Sequence, residues 1–276
     1  MPNRLEARFA ALKREGRAGF VAYVMAGDPD AEASLAIIQG LPAAGADLIE
    51  LGFPFSDPMA EGPPIQRAAQ RALGAGMTLA GVLDLVRRFR SDDAATPIVL
   101  MGYLNVLLTY GLEAFGRDAA AAGVDGAIVV DCPPEEAGPL ADALERAGVA
   151  LIRLATPTSD DARLKVIAQR TAGFVYYVSV AGVTGVKAVD EAGVGPAVAR
   201  VRRASGLPVA VGFGIRTPEQ ARAVAKVADA VVVGSALVDE VAAGLAANEN
   251  VTSRVLETAA RLAQAVRAVG QEQVKA

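Results

Sequence analysis

Residues 122–155 read AGVDGAIVVDCPPEEAGPLADALERAGVALIRLA. The pair Ala122-Gly123 comes first, followed by an almost wholly apolar run at 125–131. A helical stretch then spans 134–147, the pair Ala147-Gly148 stops it, and a second apolar run fills 149–155. Glycine just past the last helical turn is a stop signal, because it enters the left-handed region without Cβ strain. A strand that is apolar throughout, instead of alternating, suits a parallel sheet covered on both faces. The stretch therefore reads as strand, helix, strand.

The same unit recurs in both directions. Strand-like runs lie at 19–26, 47–52, 97–103, 125–131, 149–155, 173–179, 207–212 and 229–234, which makes eight. Helical stretches include 30–42, 79–90, 134–147, 160–170 and 218–224, and Ala44-Gly45 is a third turn of the same kind. No composition break or linker divides the 276 residues. The pattern predicts a single α/β domain over 1–276, a (β/α)8 TIM barrel, with a doubly wound sheet as the competing architecture. Leu5, Phe9 and Leu12 share one helical face, so an extra N-terminal helix is expected within 1–15. A short helix is expected after strand 8, beginning at Ser235. A last barrel helix is expected at 251–269, ended by Gly270 and followed by a tail at 271–276.

Composition removes whole classes of chemistry. There is no histidine, which excludes Ser-His-Asp and Cys-His engines and imidazole-ligated metals. No metal site is expected. One cysteine, Cys132, permits no intramolecular disulfide; it reads as a small buried residue in a reducing, cytoplasmic setting. Of the five lysines only Lys187 lies near a strand end, which disfavours a Schiff base. A net charge of −4 offers no field for nucleic acid or an anionic membrane. The uncharged run 94–112 is nineteen residues long, yet Pro97, Gly102, Asn105 and Gly111 interrupt it, so it reads as a buried strand with its flanks and not as a membrane span. The first residues carry Glu6 and Glu15 and no apolar core of a signal peptide.

A barrel works at the C-terminal ends of its strands. Strand 2 carries Glu50 inside an apolar run; there it is either a buried general acid or base, or a core carboxylate tied to an arginine. The next residues, 53–63, hold Asp57 and Glu61 in a loop stiffened by Pro54, Pro58 and Pro63, which either positions a carboxylate or is an ordinary solvated loop. Strand 6 runs into a long segment, 179–185 and beyond, of the kind that forms lids. Glycines after strands 7 and 8, with a helix start at Ser235, match the barrel phosphate site, although tight turning alone also asks for glycine.

These motifs together resemble the tryptophan synthase α-subunit family, the indole-3-glycerol phosphate lyases. The resemblance rests on ELGFPFSDPMAEGPPIQ at 50–66, on 179–185, on Gly212-Phe213-Gly214 and on Gly234-Ser235. It implies retro-aldol cleavage of indole-3-glycerol phosphate to indole and glyceraldehyde 3-phosphate in tryptophan biosynthesis. Two carboxylates would do the proton transfer, with Glu50 as acid and Glu61 as base. It implies phosphate contacts at Gly185, Gly214, Gly234 and Ser235, and a lid residue at Thr184. It implies an indole pocket of Tyr23, Ile65, Met101, Tyr103, Ile128, Tyr176 and Phe213. Pro54, Phe55 and Asp57 would face a β subunit in an α2β2 assembly. The cofactor pyridoxal phosphate (PLP) would belong to that partner, none to this chain. Two positions depart from the family pattern: Glu61 replaces the usual Asp, and Val180 replaces a frequent Arg. The first leaves open a weak catalyst acting mainly as an activator of the β subunit, or a stand-alone lyase.

Overall fold

The eight apolar runs all become strands, and each buries nearly its full length, as covered parallel strands must. The structure is a computed structural model that describes residues 3–179, 191–212 and 214–275. Helix α1 (Arg4–Glu15) precedes β1 (Gly19–Met25), and α2 (Ala31–Gly40) leads to β2 (Leu48–Gly52). Two helices, α3 (Pro63–Gly74) and α4 (Leu79–Asp92), lie between β2 and β3 (Ile98–Gly102). Two more, α5 (Leu104–Tyr110) and α6 (Leu112–Ala122), precede β4 (Gly126–Val129). The chain continues through α7 (Gly138–Ala147), β5 (Ala150–Ala155), α8 (Asp161–Ala168) and β6 (Val175–Val178). It then runs through α9 (Glu191–Ser205), β7 (Val209–Gly212), α10 (Pro218–Ala225) and β8 (Ala230–Val233), and ends in α11 (Ser235–Ala247) and α12 (Val251–Lys275).

Every strand pairs in parallel with its sequence neighbours, and β8 returns to β1 through Gly19 opposite Ala230. This closed order is the predicted barrel and excludes the doubly wound sheet. Closure also removes the exposed strand edges that an open sheet would have to protect.

The N-terminal end of the barrel is built for stability. Leu5, Phe9 and Leu12 are buried under it, and the Phe9 ring stands 5.5 Å from that of Phe174. Asn3 caps α1 by accepting from the Leu5 N–H, and Gly16 ends the helix in the left-handed region. Asp47, Asp125 and Asp229 sit one residue before β2, β4 and β8. Each accepts the backbone N–H of a residue at or beside the start of the preceding strand: Phe20 at 2.9 Å, Ile98 at 2.8 Å and Val209 at 2.8 Å. Arginines neutralise the three acids: Arg8 and Arg17 on Asp47, Arg4 and Arg90 on Asp125, Arg202 on Asp229. Asp47 and Asp125 are buried, so removing both arginines from either would leave a buried unpaired charge at a cost of about 3–5 kcal/mol, whereas the Asp229 pair is part-exposed and worth less.

Three expectations need correction. Gly270 does not end the last helix, which runs on to Lys275 through the expected tail. A Cβ there would come within 2.7 Å of the Arg17 Cβ and 3.0 Å of the Gly16 carbonyl oxygen, so this glycine serves close packing of α12 on the α1–β1 turn. The helix after β8 is not short: it has 13 residues, with Asn248 as its left-handed stop. Cys132 is half-buried and free, because the turn after β4 faces an open hollow. Among the described residues no helix is long and apolar enough to cross a membrane.

Candidate active site

Strand register places the first carboxylate. Tyr23 of β1, Glu50 of β2 and Val99 of β3 lie in neighbouring pair positions, and the Tyr23 and Glu50 side chains both turn into the barrel mouth. Glu50 is 1% exposed, and its Oε2 has no hydrogen-bond partner. Burial, and next the Glu61 charge, raise its pKa to about 8. An acid tied to an arginine does occur at this end of the barrel, but it is Asp28, which takes Arg71 at 2.7 and 2.8 Å. Glu50 has no arginine and lies among Tyr23, Tyr176 and Glu61.

The second carboxylate comes from the loop between β2 and α3. The Ala60 N–H donates to the Tyr103 hydroxyl at 2.9 Å, and the Glu61 N–H donates to the Pro58 carbonyl at 3.1 Å. The Gln66 amide holds the Glu61 carbonyl at 2.9 Å, and Pro63 begins α3 directly after the Gly62 cap. This anchoring turns Glu61 inward, 6% exposed, where burial raises its pKa to about 7. Asp57 stays at the surface and accepts from the Ser56 hydroxyl at 2.5 Å. The two acids of this loop therefore divide, one sealed inside and one solvated.

Both carboxylates line a cavity at the C-terminal end of the strands, about 480 Å³ including its open mouth. Tyr23, Ile65, Met101 and Tyr176 form its walls. Burial holds the Tyr23 and Tyr176 hydroxyls well above their usual pKa, so both remain neutral. The strand-end glycines make room for them: a Cβ on Gly52 would meet the Tyr23 hydroxyl at 2.4 Å, and one on Gly212 the Tyr176 hydroxyl at 2.0 Å.

The far wall carries Gly214, Gly234 and Ser235. Gly214 has φ +78°, a conformation that L side chains rarely adopt. Gly234 starts α11 with no side-chain cap; the Leu237 N–H turns back to the Gly234 carbonyl at 2.8 Å, which leaves the N–H groups of Ser235 and Ala236 to face an anion. Gly185, Thr184 and Phe213 lie outside the described residues, as do Val180 and Lys187.

Two expected pocket residues stand elsewhere. Tyr103 is buried behind the cavity as the anchor of the Ala60 N–H, with its ring 5.2 Å from that of Phe55. Ile128 is sealed in the barrel interior. The cavity wall instead includes Ile215, Arg216 and Val232. Val232 was legible in principle, since it lies two residues before Gly234 and strand side chains repeat with period two. Arg216 carried no local signal beyond its place just after the glycine turn; its guanidinium is held by Asp239. Pro54 is buried, while Phe55 is half-buried. Among the described residues, no cluster of acids or cysteine could hold a metal ion.

The family model described as "Tryptophan synthase alpha chain" matches residues 9–267. The tryptophan synthase alpha chain of Phenylobacterium zucineum is 75% identical over 264 residues, covering 96% of this chain and 95% of that one. The alpha chain of Caulobacter sp. strain K31 is 71% identical over 265 residues, covering 96% of each. Tryptophan synthase subunit alpha from Legionella pneumophila superposes with TM-score 0.90 at 39% identity, over 96% of this chain and 99% of that one. A Mycobacterium tuberculosis tryptophan synthase structure gives TM-score 0.87 at 38% identity, over 97% and 99%. A family match over nearly the whole chain, a shared barrel and identities above 70% agree with the site: this chain belongs to the tryptophan synthase alpha chain family, lyases that cleave indole-3-glycerol phosphate.

Proposed function

We propose that Glu50 and Glu61 together carry the carbon–carbon cleavage. The observation behind this reading is that two buried carboxylates share one cavity, each with a pKa raised towards neutrality. A group with pKa near 8 keeps its proton at neutral pH, which suits Glu50 as the acid that protonates indole C3. That protonation makes the ring an iminium-like electron sink. Glu61, with pKa near 7, is substantially ionised and takes the proton of the glycerol hydroxyl beside the scissile bond. The hydroxyl oxygen then forms the aldehyde C=O, the C–C bond pair returns to the indole ring, and indole leaves. The carboxylates titrate as a coupled pair, so proton loss from one favours retention by the other.

In this reading the phosphate sits against Gly214, Gly234 and Ser235, joined by Gly185, while Tyr23, Ile65, Met101 and Tyr176 enclose the indole. Thr184 belongs to the lid. No cofactor is required in this chain, and PLP belongs to the β subunit that the family implies as partner. Pro54, Phe55 and Asp57 form part of the partner surface of an α2β2 assembly. Met59, 72% exposed, and Leu108, 56% exposed, follow β2 and β3 and support an apolar docking face there. The testing experiment is indole release from indole-3-glycerol phosphate with and without a tryptophan synthase β subunit. Slow release alone and a large rise with partner support the reading. Fast release alone points to a stand-alone lyase, and no release in either case to an activator of the β subunit.

Glu61 already reaches the cavity wall from its anchored loop, so Glu61→Asp withdraws the carboxylate by about 1–1.5 Å on this backbone. The expected result is a fall in kcat of roughly 10–100-fold. A faster Asp variant would mean that the longer side chain is a handicap here. Arg216 stands beside the phosphate end, so Arg216→Gln should raise KM about 3–10-fold and leave kcat nearly unchanged, given that charge-assisted contacts are about twice as strong as neutral ones. Steady-state kinetics with an unaltered KM would remove Arg216 from the site.

A further inference from the structure

A second cavity lies on the outer side of β4 and β5, beneath the segments that follow those strands, and measures about 1150 Å³ including its open mouth. Arg153 of β5 points into it. Its neighbour Leu154 pairs with Tyr176, which faces the barrel interior, so Arg153 faces outward by alternation. The residue is only 7% exposed, and its Nε and Nη1 have no hydrogen-bond partner. A guanidinium cannot escape that cost by losing its proton.

None of the acids nearby is paired with Arg153, and Glu136 is exposed to solvent. Glu135 is paired with Arg163, Asp142 and Glu145 both hold Arg170, and Asp131 accepts the Leu104 N–H at 2.8 Å. Burial pushes the Cys132 thiol up, so it supplies no counter-charge. The cavity also holds a hydroxyl cluster: Thr156 Oγ1 lies 2.9 Å from Thr158 Oγ1 and 3.3 Å from Ser159 Oγ. Hydroxyl protons rotate, so this cluster can turn donors towards an anion. Pro133, Leu151 and Ile167 add apolar wall.

We propose that this cavity binds a small organic carboxylate, held by the planar donor set of Arg153 and flanked by Arg163 and the hydroxyls of Thr156, Thr158 and Ser159. One uncompensated guanidinium calls for one negative charge, and guanidinium geometry matches a carboxylate in bidentate fashion. The apolar wall favours a monoanion with a short hydrocarbon tail. The site is separate from the barrel mouth and owes nothing to Glu50 or Glu61.

The test is calorimetric titration of the full-length chain with sodium butyrate, against sodium chloride at equal ionic strength, on the parent, Arg153→Met and Arg163→Gln. The parent should bind butyrate with Kd in the millimolar range, about 1–10 mM, and chloride should not reproduce the heat. Arg153→Met should weaken binding by about tenfold or more, and should melt at a higher temperature than the parent without butyrate, because the unpartnered charge is gone. Arg163→Gln, at the exposed rim, should weaken binding about threefold. No butyrate heat with the parent, an equal heat from chloride, or equal affinity in Arg153→Met overturns the proposal. If Arg153→Met fails to fold, unchanged affinity in Arg163→Gln overturns it instead.

Discussion

Glu50→Gln should lower the rate of indole release from indole-3-glycerol phosphate by about 10²–10⁴-fold, with KM almost unchanged. Glutamine fills the same space in the β2 wall but has no transferable proton, so C3 protonation loses its donor while the phosphate and indole contacts remain. An interaction made only in the transition state shows in kcat, not in KM. The deficit should persist with a β subunit present, since no partner residue need reach an acid that is 1% exposed. The pH profile supplies a second readout. The alkaline limb of the parent's rate, set by loss of the Glu50 proton near pH 8, should be absent from whatever activity remains. A loss smaller than about tenfold would remove Glu50 from the acid role, because even a weak general acid contributes more than that.

The same substitution should stabilise the fold at alkaline pH. Below the ordinary carboxyl pKa of 4.5, Glu50 carries a proton in both the folded and the unfolded chain and costs nothing. Between 4.5 and about 8 the unfolded chain releases that proton while the folded protein keeps it, so the parent loses stability as pH rises through this window. Above it both states are ionised and the cost of the buried charge is fully present. Gln never titrates, so Glu50→Gln should exceed the parent by on the order of 2–4 kcal/mol at about pH 9 and show no pH-linked gain near pH 4. At this chain length that corresponds to a rise in melting temperature of roughly 5–10 °C. Glu61→Gln should behave alike over the window up to about 7, with a smaller gain. The double variant should gain less than the sum, because the charge of each residue is part of the other's cost. Thermal melts at the two pH values decide this; equal differences at both would show that neither carboxylate carries a buried penalty. A variant that is more stable and far less active is the expected signature of strain kept at a working site.

The barrel was legible because its signals are local. Apolar runs covered on both faces, Ala-Gly stops and the Leu5, Phe9, Leu12 stripe each report on a few consecutive residues, and the eightfold repetition of the runs leaves little choice of architecture. Gly270 shows the limit of that reading. A glycine at a helix end and a glycine where α12 crosses the α1–β1 turn look the same in a string, and only the approach of Arg17 and Gly16 separates them. Tyr103 and Ile128 show it again, since both lie near strand ends yet one anchors a loop and the other fills the interior.

The carboxylates divide along the same line. Residue order alone placed Glu50 in a strand and Glu61 in a stiff loop, and the motif they belong to pointed to the family. Whether either acid was paired, solvated or raised in pKa was open, because pairing and desolvation depend on what other segments bring up. Asp28 found Arg71 from α3, while Glu50 found no arginine, only Glu61 and the neutral Tyr23 and Tyr176 phenols. Arg153 was one charge in a strand until β5 and the segments after β4 and β5 closed around it without bringing an acid against it. Sequence by itself determined the strands, the turns and the chemical inventory of this chain, since those follow from nearest-neighbour periodicity and residue type. Tertiary structure alone decided which charges lie in water and which face one another, since burial and Coulomb energy depend on distances between residues that the chain order keeps far apart.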